Sequence, residues 1–139
     1  MAFIAWLHEP GLLREAVGGK GASLAELTVA GFRVPAGFVV TAEGYRYCLG
    51  TTDLEERLST LLTGLDPADA ATISAVSTSI GALINETTLP DELQDQVGAA
   101  YDRLAATTGI ACAVRSSAIG EDAAAASFAG LDDSFLNLR

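Results

Sequence analysis

The spacing of the apolar residues changes at Gly109, and this change restricts the folds that the chain can adopt. Between residues 52 and 109, large apolar residues recur every three or four positions, as on the buried face of a helix. They form three stripes: Leu54, Leu58, Leu61, Leu62 and Leu65; Ile73, Val76, Ile80, Leu83 and Ile84; and Leu93, Val97, Tyr101 and Leu104. After Gly109 the period becomes two, as in a strand covered on both faces, with Ile110, Cys112 and Val114 alternating with alanines. The sequence therefore predicts three amphipathic helices followed by a strand.

Residues that start and stop helices divide this region. Thr52 and Glu55 are spaced as in a capping box, in which each side chain bonds the backbone amide of the other residue. Asp66 precedes Pro67, which is the usual order of a helix cap and a first-turn proline. Gly109 is placed to end the third helix.

The first third of the chain predicts a helix, a strand and a second helix. Residues 19–29 are good helix formers, and Gly31 is positioned as their C-terminal stop. The apolar run Phe38–Val40 is typical of a short buried strand, and Thr41 is placed to cap a helix over residues 42–49. We therefore expect a strand that enters a helix.

The end of the given sequence predicts another strand, over residues 135–138. A strand at that place leaves a sheet edge unpaired, so we expect more polypeptide or another chain to cover it. The predicted fold is α/β (α+β), with a small sheet and several amphipathic helices. A length of 139 residues fits one core, so we expect a single domain over residues 1–139.

The distribution of charge argues against a nucleic-acid partner. The net charge is −10, and residues 53–102 carry ten acidic side chains against Arg57 as their one base. Nucleic acids need a basic track on the protein surface. A small anion would have to bind near the ends of the chain, where residues 1–52 are neutral in sum.

The same sequence argues against a membrane protein and a disulfide framework. No apolar stretch approaches the roughly 20 residues that cross a bilayer. The first residues have no basic start and no signal-like apolar run, so a cytoplasmic location is expected. Cys48 and Cys112 stand apart from each other and from histidine, which predicts neither a zinc site nor a disulfide.

A glycine-rich turn around Lys20 is the first candidate site. Gly18, Gly19 and Gly21 surround this lysine at the start of the predicted helix, where free amides and the helix dipole favour an anion. A Walker A loop is excluded, because Arg14 stands where that motif has its first glycine and Gly21 where it has serine or threonine. On spacing alone, a flexible turn with a solvated lysine also fits.

The second candidate site follows the predicted strand near residue 114. Arg115 lies where ligands of α/β proteins gather, and its planar fork suits phosphate oxygens. Ser116 and Ser117 add hydroxyl donors. An arginine that merely ties down a loop remains an equal alternative at this point. Glu121 and Asp122 are more typical of solvated surface acids than of a metal site, so we expect no metal ligands in this chain.

No catalytic nucleophile is expected within this chain. His8 is the only histidine, and no serine, cysteine or acid lies at a recognisable spacing from it. Hydrolytic triads are therefore excluded.

Four blocks of sequence resemble the amino-terminal nucleotide-binding domain of the phosphoenolpyruvate synthase and pyruvate phosphate dikinase family. They are Trp6-Leu7, GGKGASLAEL from Gly18, VPAGFVVTAEGY from Val34, and AVRSSAIGEDAAAASFAGLDDSFLN from Ala113. Their order and spacing cover nearly the whole chain. The VRSSA and SFAG segments are more similar to the synthase and rifampicin phosphotransferase branch than to the dikinase proper.

The resemblance implies the first part of an ATP-grasp domain that binds Mg-ATP and passes a phosphoryl group to a histidine on a separate domain. It implies that Lys20 and Arg115 contact ATP phosphates and that the loop from Ser127 to Gly130 lies over them. Ser116 joins this set through its hydroxyl. The Mg2+ ligands and the phosphohistidine are expected outside the chain, so this part alone is expected to be incomplete and inactive.

Two classes of function remain open. The first is a part of an ATP-dependent dikinase-type phosphotransferase, whose partners are the rest of the ATP-grasp domain and a phosphohistidine domain; the acceptor is pyruvate, as in the synthases, or an antibiotic, as in the rifampicin enzymes. The second is a non-catalytic module for nucleotide sensing or protein binding. Retention of both Lys20 and Arg115 favours the first.

Overall fold

A computed structural model describes residues 2–109, 111–117 and 134–138 of the chain. Five helices and four strands occupy these ranges. In chain order they are β1 (Ile4–Trp6), α1 (Arg14–Val29), β2 (Phe38–Val40), α2 (Ala42–Thr51), α3 (Leu54–Leu62), α4 (Ala70–Glu86), α5 (Asp91–Thr108), β3 (Cys112–Arg115) and β4 (Ser134–Leu138). The strands pair as two separate two-stranded sheets. The α+β fold expected from the sequence is confirmed.

The chain packs as two compact units. The first unit combines Met1–Tyr45 with Glu92–Arg139, and the second is the continuous segment Arg46–Asp91. The second unit is therefore an insertion into the sequence of the first. Among the described residues, no helix is both long and apolar enough to cross a membrane.

The first sheet organises the core of the first unit. Strands β1 and β2 pair antiparallel, with Trp6 opposite Phe38. Burial alternates along the start of the chain, because successive side chains of a strand face opposite sides. Phe3, Ala5 and Leu7 are buried, and burying a large apolar side chain such as Phe3 stabilises the fold by about 1.5–3 kcal/mol. Strand β1 was not predicted from the sequence, because Ile4–Trp6 lacks the preceding turn residues that mark the equally short β2.

Helix α1 packs its small residues against this sheet. Val17 and Ala22 form a cluster with Ala5 of β1, and Val39 of β2 packs against them. Gly21 lies on the same face of α1 as Val17, and a Cβ added to it would come within 3.2 Å of Val39. Small residues at these positions let the helix approach the sheet closely.

Helix α1 ends in a Schellman motif. Gly31 has φ +85°, its amide donates to the Thr28 carbonyl at 3.1 Å, and the Phe32 amide donates to the Leu27 carbonyl at 3.0 Å. The predicted stop at Gly31 is confirmed.

Thr41 caps helix α2 as predicted. Its hydroxyl accepts a hydrogen bond from the Gly44 amide at 3.3 Å in a buried position. Gly44 packs tightly, because an added Cβ would lie 3.1 Å from Phe3 and 3.3 Å from Leu93 of α5. The Phe3 amide also donates to the Gln96 side chain at 2.9 Å, so α5 is held against the start of β1.

A cation–π contact adds to this attachment of α5. The Arg103 guanidinium lies 4.2 Å from the centroid of the Trp6 ring, and Phe38 packs against the same indole at 5.6 Å. Such contacts contribute roughly 0.5–1 kcal/mol at exposed sites.

The second unit contains α3 and α4, which pack on each other, and each has one buried leucine, Leu54 and Leu83. The three predicted helices of residues 52–109 are all present, but the capping box is wrong. Asp53 is the N-cap residue of α3, without a side-chain cap bond. The Thr52 hydroxyl donates instead to the Cys48 carbonyl at 2.7 Å, which makes it part of the end of α2.

The cap of α4 also differs from the prediction. Asp69, and not Asp66, is the N-cap residue, and its carboxylate accepts from the amides of Ala71 and Thr72 at 3.1 Å each. Asp66 accepts from the Ala68 amide within the preceding turn. Two aspartates three residues apart offered equivalent caps, and the chain makes one extra turn before the helix starts.

The second sheet is exposed in the described residues. Strands β3 and β4 pair antiparallel with Arg115 opposite Ser134, and a bulge interrupts the ladder between Cys112 and Val114. Val114 is 52% exposed, and the neighbouring residues Phe135 and Leu136 are 57% and 66% exposed. The prediction that both faces of this strand are covered does not hold at Val114 within these 139 residues, whereas Cys112 of the same strand is half-buried.

Candidate functional site

Helix α1 is interrupted at Gly18. This residue has φ +72° and ψ 172°, inside a run of otherwise helical residues. Such a backbone is open almost only to glycine. A new helical turn therefore begins after Gly18, with Gly19, Lys20 and Gly21 as its first residues. The predicted helix over residues 19–29 corresponds to this second segment.

Ser117 fills the gap that the interruption leaves in the hydrogen-bond ladder. In an unbroken helix the Gly21 amide would donate to the Val17 carbonyl, four residues before it. Here the Gly21 amide donates to the Ser117 hydroxyl at 3.1 Å, and that hydroxyl donates to the Val17 carbonyl at 2.8 Å. One hydroxyl acts as acceptor and donor at once, which serine chemistry allows.

The same contact explains the glycine at position 18. A Cβ built on Gly18 would lie 2.3 Å from the Ser117 carbonyl oxygen and 2.4 Å from its hydroxyl oxygen. No side chain fits in that space without displacing backbone. Gly18 and Ser117 thus hold the start of the helical turn against the segment that follows β3.

The structure brings two of the predicted segments together. Lys20 is half-buried in the turn, next to Gly21, and Arg115 is exposed at the end of β3, two residues before Ser117. An extended chain spans at most about 3.6 Å per residue, so the Cα atoms of Arg115 and Ser117 lie within about 7 Å of each other. Ser116, between them, is exposed. Ser127 and Gly130 lie outside the described residues.

Ser117 makes a contact between distant segments that the sequence does not predict. Its hydroxyl was expected as a second donor beside Arg115, with no sign of a partner in the glycine turn. The available signal was a helix start whose cap position, Gly18, has no side chain to accept an amide proton. Such a start needs an acceptor from elsewhere in the chain, but the sequence does not say which one.

The other titratable candidates lie apart from this contact or outside the described residues. His8 is exposed, with its ring centroid 6.0 Å from that of Trp6. Glu121 and Asp122 belong to the residues that the structure does not describe. Within the described ranges, no three residues among histidine, cysteine, aspartate and glutamate come together as a metal site would require.

An open depression in the second unit is a separate feature. It has a volume of about 440 Å³ and is lined mainly by Leu49, Leu58 and Leu62, with Glu55 at its wall. None of its lining residues is a predicted phosphate ligand, and its apolar wall is unsuited to a triphosphate.

The residues that neighbour the Ser117 contact in sequence are of the types that bind anions in proteins. The first turn of a helix presents backbone amides and the positive end of the helix dipole. A lysine ammonium and an arginine fork add one point charge and one planar donor set. Phosphate oxygens match these donors.

Comparison with known proteins gives a consistent family. Residues 14–139 match the model described as pyruvate phosphate dikinase, AMP/ATP-binding domain. The chain is 43% identical over 145 residues to a probable phosphoenolpyruvate synthase of Methanocaldococcus jannaschii, with all of this chain covered. It is 45% identical over 132 residues, or 90% of the chain, to a phosphoenolpyruvate synthase of Neisseria meningitidis. The chain spans 12% and 17% of the lengths of these two relatives.

Proposed function

Because this chain belongs to the family of the pyruvate phosphate dikinase AMP/ATP-binding domain, we propose that it binds ATP and holds the phosphates for transfer to a histidine on another domain. The proposed role of this segment is binding and orientation. The acceptor histidine and the final acceptor substrate are proposed to lie on polypeptide outside these 139 residues.

The observation that carries the proposal is the contact between the Gly18 turn and the end of β3. Hydrogen bonds of 3.1 and 2.8 Å join segments that are about a hundred residues apart in sequence. This contact supports a shared site for Lys20 and Arg115, since each residue lies within two positions of it. Phosphoryl transfer depends mainly on positioning and on neutralising charge, which a lysine, an arginine and helix amides supply.

Magnesium is proposed to enter the site with ATP and with ligands from elsewhere. The described residues around Ser117 offer donors and cations, which suit phosphate oxygens and not a metal ion. When bound, the ion would neutralise phosphate charge. Lys20 and Arg115 would do the same from the protein side, and Ser116 would donate a hydrogen bond.

The relatives favour a synthase-like activity over antibiotic inactivation. The proteins of M. jannaschii and N. meningitidis that match the chain are named phosphoenolpyruvate synthases. We therefore propose pyruvate as the class of acceptor in the whole protein. We also propose a cytoplasmic location. A non-catalytic nucleotide-sensing module would bind ATP without forming phosphohistidine, and mass spectrometry of the full-length natural protein after incubation with Mg-ATP separates the two.

The binding proposal is tested by titrating the full-length natural protein with Mg-ATP in a calorimeter. Lys20→Ala and Arg115→Ala should each weaken binding at least about tenfold, or roughly 1.4 kcal/mol, because each removes a cation from the triphosphate. The matched control is Arg57→Ala. This arginine makes an exposed ion pair with Asp53 at 3.7 Å in the second unit, and its loss should leave the affinity unchanged.

Equal affinity for the parent protein and both variants would refute the phosphate assignment. A loss in Arg57→Ala of the same size would show that the effect comes from total charge and not from a site.

A further inference from the structure

We infer that Ser117 is a positioning residue for the nucleotide: its hydroxyl caps the helical turn that carries Lys20 and fixes that turn to the strand end that carries Arg115. This inference rests on the proposed function. Beyond that function, we assign a role to Ser117, which contacts the proposed phosphate-binding turn and acts on the nucleotide through it.

The geometry is that of a helix cap supplied from a distant part of the chain. At an ordinary helix start, the cap side chain accepts from the amide two or three positions later. Gly18 occupies the cap position and Gly21 lies three residues after it, but glycine has no side-chain oxygen. The Ser117 hydroxyl accepts from that amide instead, across 96 residues of sequence.

The second hydrogen bond makes the cap a link between two segments. The Ser117 hydroxyl donates to the Val17 carbonyl, which lies on the other side of the interruption. Val17 is itself 2% exposed and belongs to the core cluster with Ala5. The hydroxyl is therefore anchored to a rigid part of the first unit, and the turn beyond Gly18 is held by the same oxygen.

The close approach at Gly18 limits how far the two segments can move. Backbone atoms of Ser117 occupy the space of a Gly18 side chain. A displacement of one segment would break both hydrogen bonds or force a clash. Catalytic groups displaced by about 1 Å can lose roughly a hundredfold in rate, so a link of this kind matters to transfer as well as to binding.

The experiment compares three serine variants of the full-length natural protein. Ser117→Ala removes the hydroxyl, Ser117→Thr keeps it, and Ser79→Ala is the matched control. Ser79 donates a similar bond, to the Ala75 carbonyl at 3.0 Å, on an exposed face of α4. Two quantities are measured for each: hydrogen exchange of the Gly21 amide, and affinity for Mg-ATP.

Ser117→Ala should accelerate Gly21 exchange and weaken Mg-ATP binding, each by about tenfold, as expected when a buried amide loses its acceptor. Ser117→Thr should restore both quantities to within about twofold of the parent. Ser79→Ala should change neither. In a Lys20→Ala background, Ser117→Ala should cost much less affinity, because its effect passes through the lysine turn.

Three results would overturn the inference while leaving the proposed function intact. Unchanged Gly21 exchange in Ser117→Ala would mean that the cap does not exist. Faster exchange with parental affinity, or an affinity loss of equal size with and without Lys20, would make Ser117 merely structural. If Ser117→Ala does not fold, Ser117→Cys takes its place, since a thiol bonds weakly, and an intermediate loss is expected.

Failure of the proposed function has a different pattern. The parent protein would then bind no Mg-ATP, or would bind it equally with and without Lys20. The proposed positioning role of Ser117 would then be wrong as well. Hydrogen exchange of the Gly21 amide in Ser117→Ala would still show whether the serine hydroxyl caps the turn.

Discussion

Gly18 is required by two independent constraints, its own backbone and the space around it. Its φ of +72° with ψ 172° lies in a region where a side chain costs about 1–3 kcal/mol. The backbone of Ser117 then fills the place of a Cβ. The two effects are separable, because only the second depends on Ser117.

Gly18→Ala should therefore lower both stability and affinity for Mg-ATP. We expect a loss of stability of about 1–3 kcal/mol and a loss of affinity, since the added methyl pushes the Lys20 turn away from β3. Gly11→Ala is the control: Gly11 has φ +78° with nothing within 4 Å of an added Cβ. Thermal unfolding and calorimetric titration should show a stability loss in both variants and an affinity loss only at Gly18. An affinity loss at Gly11 as well would assign the effect to stability alone.

Helix α4 depends on one carboxylate for its start. The Thr72 hydroxyl donates to Asp69 at 2.5 Å, and the amides of Thr72 and Ala71 also donate to it. These bonds, the Thr72 hydroxyl first, lower the pKa of Asp69 below its ordinary value. A lowered pKa means that the ionised carboxylate is favoured in the folded state.

The sign of the pH dependence follows from that shift. The contribution of Asp69 is fully present above the ordinary aspartate pKa and is lost as pH falls through the lower pKa of the folded state. Asp69→Asn keeps a capping oxygen but no titrating carboxylate, so the hydrogen-exchange protection at the start of α4 should no longer fall as the pH drops below the ordinary aspartate pKa. Asp53→Asn, at an N-cap without a side-chain bond, should leave that acid dependence as in the parent. Identical profiles for Asp69→Asn and the parent would disprove the assignment.

Long helices, whose apolar stripe recurs over several turns, were predictable from the sequence. Exact cap residues and contacts between residues far apart in the sequence were not. Helices α4 and α5 have 17 and 18 residues, enough for an apolar stripe to be recognised. Strands β1 and β2 both have three residues, and only β2 follows a proline- and glycine-containing turn that marks it in the sequence. The cap at Asp66 was misplaced because Asp69 offers an equivalent oxygen, and the cap at Thr52 was misplaced because its hydroxyl donates to the Cys48 carbonyl. The Ser117 link was beyond local patterns, since it joins residues about a hundred positions apart.

At the scale of the whole molecule, the second sheet leaves apolar area open. Val114, Phe135 and Leu136 are each more than half exposed. The two relatives are much longer than the chain, since it spans 12% and 17% of their lengths. These facts together favour further polypeptide packed on β3 and β4 in the working protein.

The 139 residues alone should therefore bind Mg-ATP much more weakly than the full-length natural protein. The reason is that we expect the second half of the ATP site, and the polypeptide that packs on β4, to come from outside these 139 residues. Calorimetry gives the affinities, and hydrogen exchange of the β4 amides should slow in the longer protein. Equal affinity and equal exchange in the two forms would contradict this expectation.

The division of the first unit by the second also sets an order of events during synthesis. Arg46–Asp91 is continuous, so all of its internal partners have left the ribosome once residue 91 emerges. The amide of Gly21 must wait for a serine made 96 residues later, which takes about 5–20 s at the usual rates of translation. Until then the glycine turn of the nascent chain lacks the acceptor that the Ser117 hydroxyl supplies in the folded protein.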